Sequence, residues 1–344
     1  MMDPKKYNIL TLCFLLLSIS KFSWAEEKPK ILIASTVVPE SVLELLKSKC
    51  ALILIKKESK NHILSKVQGV HGIFWATKTH LDKEIIDTAG PNLTTVCTMS
   101  AGYDHIDTKT LKLKGIKFAN TPGVLNAAVA DTAVLLALAA SRRLHEGRVD
   151  MESGNWKNGL QTRLGIDISG SIVGIIGFGG IGQAIAKRLA PFEVSQFLYT
   201  GHSEKPEAKS LKAKLVDLET LNKEADFIFI SCPLNNETKG MINKDFFGKT
   251  KKTAVLVNIA RGEIVVQKDL IKALKRGKIF AAGLDVMTPE PLPSDSELLK
   301  LPNVVLTPHI GSATKKTREQ MAELTAHNML RGLGGENMIT PVNL

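Results

Sequence analysis

The chain has too few cysteines for a disulfide framework. Its 344 residues include four: Cys13, Cys50, Cys97 and Cys232. Cys13 falls in a leader-like N-terminal segment, and the remaining three are an odd number. Cys97 and Cys232 end apolar, strand-like runs and are expected as buried free thiols. Aromatic residues are sparse too, at 5%. Lysines such as Lys205, Lys209, Lys212 and Lys214 are scattered, without interleaved aromatics, and no helix is arginine-rich. The net charge of +11 therefore reads as a solvated basic surface that attracts small anions, and no nucleic-acid partner is expected. The apolar run from Ile9 to Ile19 is short for a membrane span, so no span is expected in the mature chain. No metal site is expected.

What is present begins with the leader. Lys5-Lys6 precede the apolar run, and Ser23-Trp24-Ala25 puts small residues where a signal peptidase reads. This order predicts a signal peptide over residues 1–25 and entry to the secretory route, with the cytosol as the alternative. The sequons Asn92-Leu93-Thr94 and Asn236-Glu237-Thr238 are compatible with that route. Hydrophobic residues at 44% and charged residues at 23% describe an ordinary globular protein of one or two domains.

The run Gly177-Phe178-Gly179-Gly180-Ile181-Gly182 carries the most information. An apolar β-branched run, Ser171 to Ile176, precedes it, and a helical stretch, Gln183 to Leu189, follows. Strand, G-x-G-x-x-G turn and helix form the first half of a dinucleotide-binding βαβ unit. The glycines permit a tight turn, approach of backbone to the pyrophosphate, and close packing of helix on strand. The phosphates then meet the free N–H groups and positive dipole end of the helix.

In NAD sites an acidic residue about 20 positions on accepts from the ribose 2′-OH. Here the second strand, Gln196 to Thr200, runs into Gly201-His202-Ser203-Glu204-Lys205, and Gly201 takes the acidic position. Without that carboxylate a 2′-phosphate can enter and meet His202, Ser203 or Lys205. Glu204 counts against it. NADPH is the expected cofactor, with NADH as the alternative.

Strand-like and helical runs alternate from Lys30 onward, which predicts α/β layers with parallel sheets. The strands expected first are Ile31–Ala34, Ala51–Ile55, Gly72–Trp75 and Thr95–Thr98. Helical runs cover Glu40–Lys47, Leu81–Ala89 and Asp107–Lys114. Ala127 to Ala140 reads as a buried connecting helix. The second series adds strands at Phe227–Ile230, Ala254–Val257, Phe280–Leu284 and Val304–Leu306. A last helix, Lys315 to Leu333, is expected to return to the first domain.

Three segments directly follow second-series strands: Asn258 to Gly262, Asp285 to Pro291, and Thr307 to Thr314. Ligands of open α/β sheets bind at strand carboxyl ends, so Arg261, Glu290 and His309 can converge there. Together they suit reduction of a 2-oxo acid. Arg261 offers a permanently charged fork to a carboxylate and the adjacent carbonyl. His309 can give a proton to the carbonyl oxygen as hydride arrives. Glu290, paired to the ring, would orient it and favour imidazolium. Singly, the three also read as a surface arginine, a turn-capping carboxylate and a satisfied histidine.

These runs, with TMSAGYDHID, VGIIGFGGIGQAIAKRLAPF, NIARGEIV, AAGLDVMTPEPLP and PHIGSAT, resemble the D-2-hydroxyacid dehydrogenase family from Lys30 to the C-terminus. Within it the chain is most similar to the glyoxylate/hydroxypyruvate reductase branch. The resemblance implies two Rossmann-like, doubly wound parallel-sheet domains. A flavodoxin-like substrate domain would be discontinuous, over 26–125 and 310–344, and the NAD(P)-binding domain would cover 126–309. It implies His309 as proton donor, Glu290 as its partner and Arg261 as substrate anchor. Ala101 and Gly102 would offer N–H groups to the substrate carboxylate, with Gly311 and Ser312 close to substrate and cofactor. Residues Gly177 to Gly182 would hold the pyrophosphate, and Gly201, His202, Ser203 and Glu204 the ribose end. Pro233 and Ile259 would line the cofactor groove, and Asp285 would bind the nicotinamide carboxamide. A homodimer acting on a small 2-oxo acid is implied.

Two positions depart from the branch. Gly180 stands where it often has arginine, and Gly159 where it often has a tryptophan that reaches the neighbouring subunit. Two other readings stay open: an NAD-dependent dehydrogenase of another small acid, and a corepressor-like NAD(H)-binding protein. Against the second stand the leader and the short polypeptide beyond the last helix.

Overall fold

The computed structural model describes residues 27–156 and 163–344. The leader, over residues 1–25, and Gly159 lie outside them. Apolar runs of strand length alternate with helices, and two parallel sheets result. The first has five strands in the order β2-β1-β3-β4-β5: β1 Lys30–Ala34, β2 Ala51–Leu54, β3 Gly72–Trp75, β4 Thr95–Thr98 and β5 Lys117–Ala119. The second has seven, in the order β12-β11-β10-β9-β6-β7-β8. These are β6 Ile172–Ile176, β7 Gln196–Thr200, β8 Ala213–Leu215, β9 Phe227–Ile230, β10 Val255–Asn258, β11 Ala281–Leu284 and β12 Val304–Leu306. Every strand pairing within the two sheets is parallel. The carboxyl ends of each sheet therefore share one edge. In the second sheet the strand order reverses between β6 and β9, the crevice where such sheets take their ligands.

Boundaries shift where caps outrank apolar pattern. The Leu81–Ala89 run becomes the helix Lys83–Ala89, because the Asp82 carboxylate accepts from the Ile85 N–H and fixes the start. Asp107 caps Thr108–Leu113 in the same way. The two short strands β5 and β8 were not anticipated. Helix Asn126–Ser141 packs on β10 and β11 and on helix Gly180–Leu189. Its Leu136 lies 2.8 Å from where a Cβ on Gly283 would stand, so only glycine at that point of β11 lets the helix this close.

The helix Lys315–Leu333 packs against β3 and β4 of the first sheet. Ala322, Ala326 and Met329 are fully buried there, and Val342 then donates its N–H to the Phe118 carbonyl. Cys97 and Cys232 are buried free thiols, as their apolar settings predicted, and Cys50 is a third. Among the described residues no helix is long and apolar enough to cross a membrane.

Candidate active site

The glycine turn leaves the end of β6. Gly177 sits at φ 91°, and a Cβ there would come within 2.6 Å of the Cys232 backbone. A Cβ on Gly182 would strike the Gly177 carbonyl, so glycine lets the helix begin against the strand end. Gly179, the N-cap of helix Gly180–Leu189, has no atom within 4 Å of where its Cβ would be. That open backbone at a helix N-terminus suits a pyrophosphate. The Phe178 side chain is buried and stacks on Tyr199 with ring centroids 4.3 Å apart, so only its backbone can serve a ligand. Gly180 lies against the Asn126 amide, which occupies the space a larger residue would need. At the end of β7, Gly201 has only the Ser203 carbonyl nearby, at 3.9 Å. His202, Ser203 and Glu204 are exposed. The Lys205 N–H donates to the Tyr199 hydroxyl (3.1 Å). Pro233 is exposed at the groove, whereas Ile259 is packed into the core.

The loops after β11 and β12 bring Glu290 and His309 together, with Nδ1 of His309 2.8 Å from Oε2 of Glu290. This leaves the Nε2 side of the ring for a substrate. The other Glu290 oxygen accepts from the Met287 N–H (3.2 Å). Burial pushes the Glu290 carboxyl up, but the hydrogen bond and charge of His309, then Lys78 and the Met287 N–H, outweigh it and hold it at about 2. His309 adopts the left-handed region (φ 56°), a conformation that costs a residue with a Cβ about 1–2 kcal/mol. Its N–H donates to the Asp285 carbonyl (2.8 Å). The Asp285 carboxylate is buried and accepts from the Thr307 hydroxyl (2.6 Å) and from the Ile310 and Gly311 N–H groups (2.8 Å each). Oδ1 takes two of these and Oδ2 one, so one acceptor direction on Oδ2 remains for a carboxamide N–H. Ser312 follows, half-buried.

Arg261 leaves β10 on a turn shaped by Asn258, whose amide donates to the Arg261 carbonyl (2.9 Å) and accepts from the Ala260 N–H (3.1 Å). Its Nε is fixed by Asp104 at 2.9 and 3.2 Å, and Nη1 donates to the Ala260 carbonyl at 2.8 Å. Nη2 abuts Gly102, where any Cβ would collide with it. In the loop after β4 the Ala101 carbonyl accepts from Asn120 (2.7 Å) and the Gly102 carbonyl from the Ser100 hydroxyl (2.8 Å). Among the described residues the N–H groups of Ala101 and Gly102 donate to no protein acceptor, so two donors stand beside a guanidinium. Such donors suit an anion.

The D-isomer specific 2-hydroxyacid dehydrogenase NAD binding domain family matches residues 134–311. A mouse protein named glyoxylate reductase/hydroxypyruvate reductase is 48% identical over 280 residues, 81% of this chain and 85% of its own length. The chain belongs to this dehydrogenase family. A glyoxylate reductase from Thermococcus kodakarensis is 43% identical over 325 residues, covering 92% of this chain and 96% of its own. Among solved structures, an NADPH-dependent glyoxylate/hydroxypyruvate reductase from Sinorhizobium meliloti, in complex with NADP and malonate, superposes with a TM-score of 0.82 at 30% identity, covering 92% of this chain and 97% of that one. The protein is thus a nicotinamide-dependent oxidoreductase with two parallel-sheet α/β domains.

Within this family frame, two site residues escaped sequence reasoning. Asp104, which grips Arg261, lies 157 residues from it, and Lys78, 3.1 Å from Glu290, lies 212 residues away. Asp104 stands inside the TMSAGYDHID run, so the motif was in view without its partner. No motif contains Lys78.

Proposed function

We propose that the protein is an NADPH-dependent reductase of glyoxylate and hydroxypyruvate, giving glycolate and D-glycerate. The observation that carries this reading is the 2.8 Å His309–Glu290 pair on the sheet edge that also bears Arg261 and the glycine turn. The names of the mouse and archaeal relatives supply the substrate class. Nη2 of Arg261 and the N–H groups of Ala101 and Gly102 receive the substrate carboxylate. His309 gives its Nε2 proton to the carbonyl oxygen while Glu290 holds the positive charge on the ring. Bound nicotinamide supplies the hydride. Asp285 keeps the His309 loop in register and turns its remaining acceptor to the carboxamide, with Gly311 and Ser312 alongside. The missing acid at Gly201, with His202, Ser203 and Lys205 close by, favours the 2′-phosphate and hence NADPH.

The same reading divides the chain into a substrate domain of 26–125 with 310–344 and a nucleotide domain of 126–309, and takes it as a homodimer. Leu144, Met151 and Trp156, 60%, 63% and 71% exposed, offer an apolar face for the second copy. Residues 1–25 act as a secretory leader, for which a mature start at Glu26 in mass spectrometry is the check. The function is tested by turnover of glyoxylate and hydroxypyruvate with NADPH and NADH separately. Reduction of either acid with NADPH preferred is expected. A clear NADH preference overturns the cofactor reading, and no turnover of either acid overturns the substrate reading.

A further inference from the structure

Lys78 stands in the loop that leaves β3, and its Nζ is 3.1 Å from Oε2 of Glu290, the same oxygen that lies 2.8 Å from His309. The carboxylate of the acid–base pair is therefore shared across the cleft between a loop of the first sheet and a loop of the second. The Lys78 loop is not slack. The buried Trp75 indole donates to the Thr79 carbonyl (3.1 Å), the Thr79 N–H donates to the Thr77 hydroxyl (3.3 Å), and the Thr79 hydroxyl donates to the Glu58 carbonyl (3.0 Å). An exposed lysine–glutamate pair usually contributes little to stability. Here the Glu290 side chain is only 21% exposed and already committed to an imidazole, so the ammonium acts chiefly on the electrostatics of the proton donor.

We propose that Lys78 is a positioning residue of the acid–base pair. It grips Glu290 from the opposite domain and divides the carboxylate's charge between ammonium and imidazole, so that His309 is the sharper acid. The proposal rests on reading His309 as the proton donor. With Lys78 engaged, Glu290 favours the imidazolium less, and the ammonium's own charge opposes it. Without Lys78, Glu290 would belong to His309 alone and the ring would hold its proton more tightly. The groups set against Glu290 are Lys78 from the β3 loop and His309 from the β12 loop. Arg261, from the β10 loop, and Asp104, from the β4 loop, neutralise each other at 2.9 Å. Burial, opposed by Asp104, holds the nearby His105 ring down at about 4, so it stays uncharged near neutrality. Lys78 is then the charge whose removal unbalances the pair.

The test compares Lys78→Met and Lys78→Arg with the unaltered full chain, each with NADP bound. The His309 ring is titrated by NMR, with His309→Asn to assign its signals, and kcat for glyoxylate is followed against pH. Lys78→Met should move the His309 midpoint and the basic limb of kcat upward by a few tenths to about one pH unit. It should lower kcat more than it changes KM, and Lys78→Arg should restore the profile. A Lys78→Met titration that overlays the unaltered one overturns the proposal, as does a Lys78→Arg shift as large as that of Met. A shifted midpoint without turnover of any 2-oxo acid would support the Lys78 role and defeat the substrate reading. Turnover of glyoxylate with an unmoved midpoint would defeat the Lys78 role alone.

Discussion

The loops that carry His309 and Gly201 both follow strands of the second sheet, yet they are built in opposite ways. Around His309 a buried carboxylate takes three donors from the loop, and the left-handed backbone at φ 56° is held by the His309 N–H on the Asp285 carbonyl. Around Gly201 nothing but the Ser203 carbonyl comes within 4 Å of where a Cβ would stand, and His202, Ser203 and Glu204 face solvent. On the proposed reading, proton transfer needs a donor set in place before the substrate arrives, and that loop is over-determined. On the same reading, cofactor choice needs only the right charges within reach of the ribose, and the other loop carries almost no constraint beyond residue identity.

The hardest test of this contrast is His309→Ala. It should lower glyoxylate turnover by roughly 10²–10⁴-fold and leave NADPH binding, measured by cofactor fluorescence, near that of the unaltered protein. Near-normal turnover would remove His309 from the chemistry. Asp285→Asn comes next, because it puts a donor in place of one oxygen of a carboxylate that accepts three hydrogen bonds. Turnover should fall by about 10- to 100-fold, and unfolding in urea should show a loss of about 1–3 kcal/mol. A variant with intact stability and rate would mean that the loop keeps its shape without the carboxylate.

On the unconstrained side, Gly201→Asp should move the NADPH:NADH ratio of kcat/KM by about tenfold toward NADH, since the carboxylate repels a 2′-phosphate and accepts from a free 2′-OH. Stability should hardly change, because the new side chain meets open space. An unaltered ratio would show that the 2′ end is read elsewhere.

Most of the framework was legible because its signals are local. Apolar runs announced β1, β3, β4, β6, β7 and β9, and those of β10, β11 and β12 lead directly into the segments that carry Arg261, Glu290 and His309. The strands β5 and β8 escaped because Lys117–Ala119 and Ala213–Leu215 each carry a lysine in a three-residue span, whereas the equally short β12, Val304–Leu306, is wholly apolar. The residues that position the site escaped for a different reason. Asp104 and Lys78 meet Arg261 and Glu290 only because the two sheets face each other across the cleft, and no spacing along the chain encodes that contact. Gly180 was read as a missing charge. In space it makes room for the Asn126 amide, which begins a helix more than fifty residues earlier.

The last test is a pH dependence of stability in the constrained loop. Glu290 is drawn below its ordinary value of 4.5 to about 2, because the His309 hydrogen bond and charge, with Lys78 and the Met287 N–H, outweigh the burial that pushes it up. A carboxyl depressed on folding stabilises the native state above its unfolded pKa and loses that contribution as pH falls through its folded one. The stability difference between the unaltered protein and Glu290→Gln should therefore be full and flat above about pH 5, shrink below 4.5, and vanish near 2. Urea midpoints taken from pH 6 down to pH 2 would measure it. Ser203→Ala, in the open loop, removes no ionisable group and should differ from the unaltered protein by the same small amount at every pH. A Glu290→Gln difference that stayed constant across the range would mean that the carboxylate gains nothing from its three donors, and that the two loops are less different than their geometry implies.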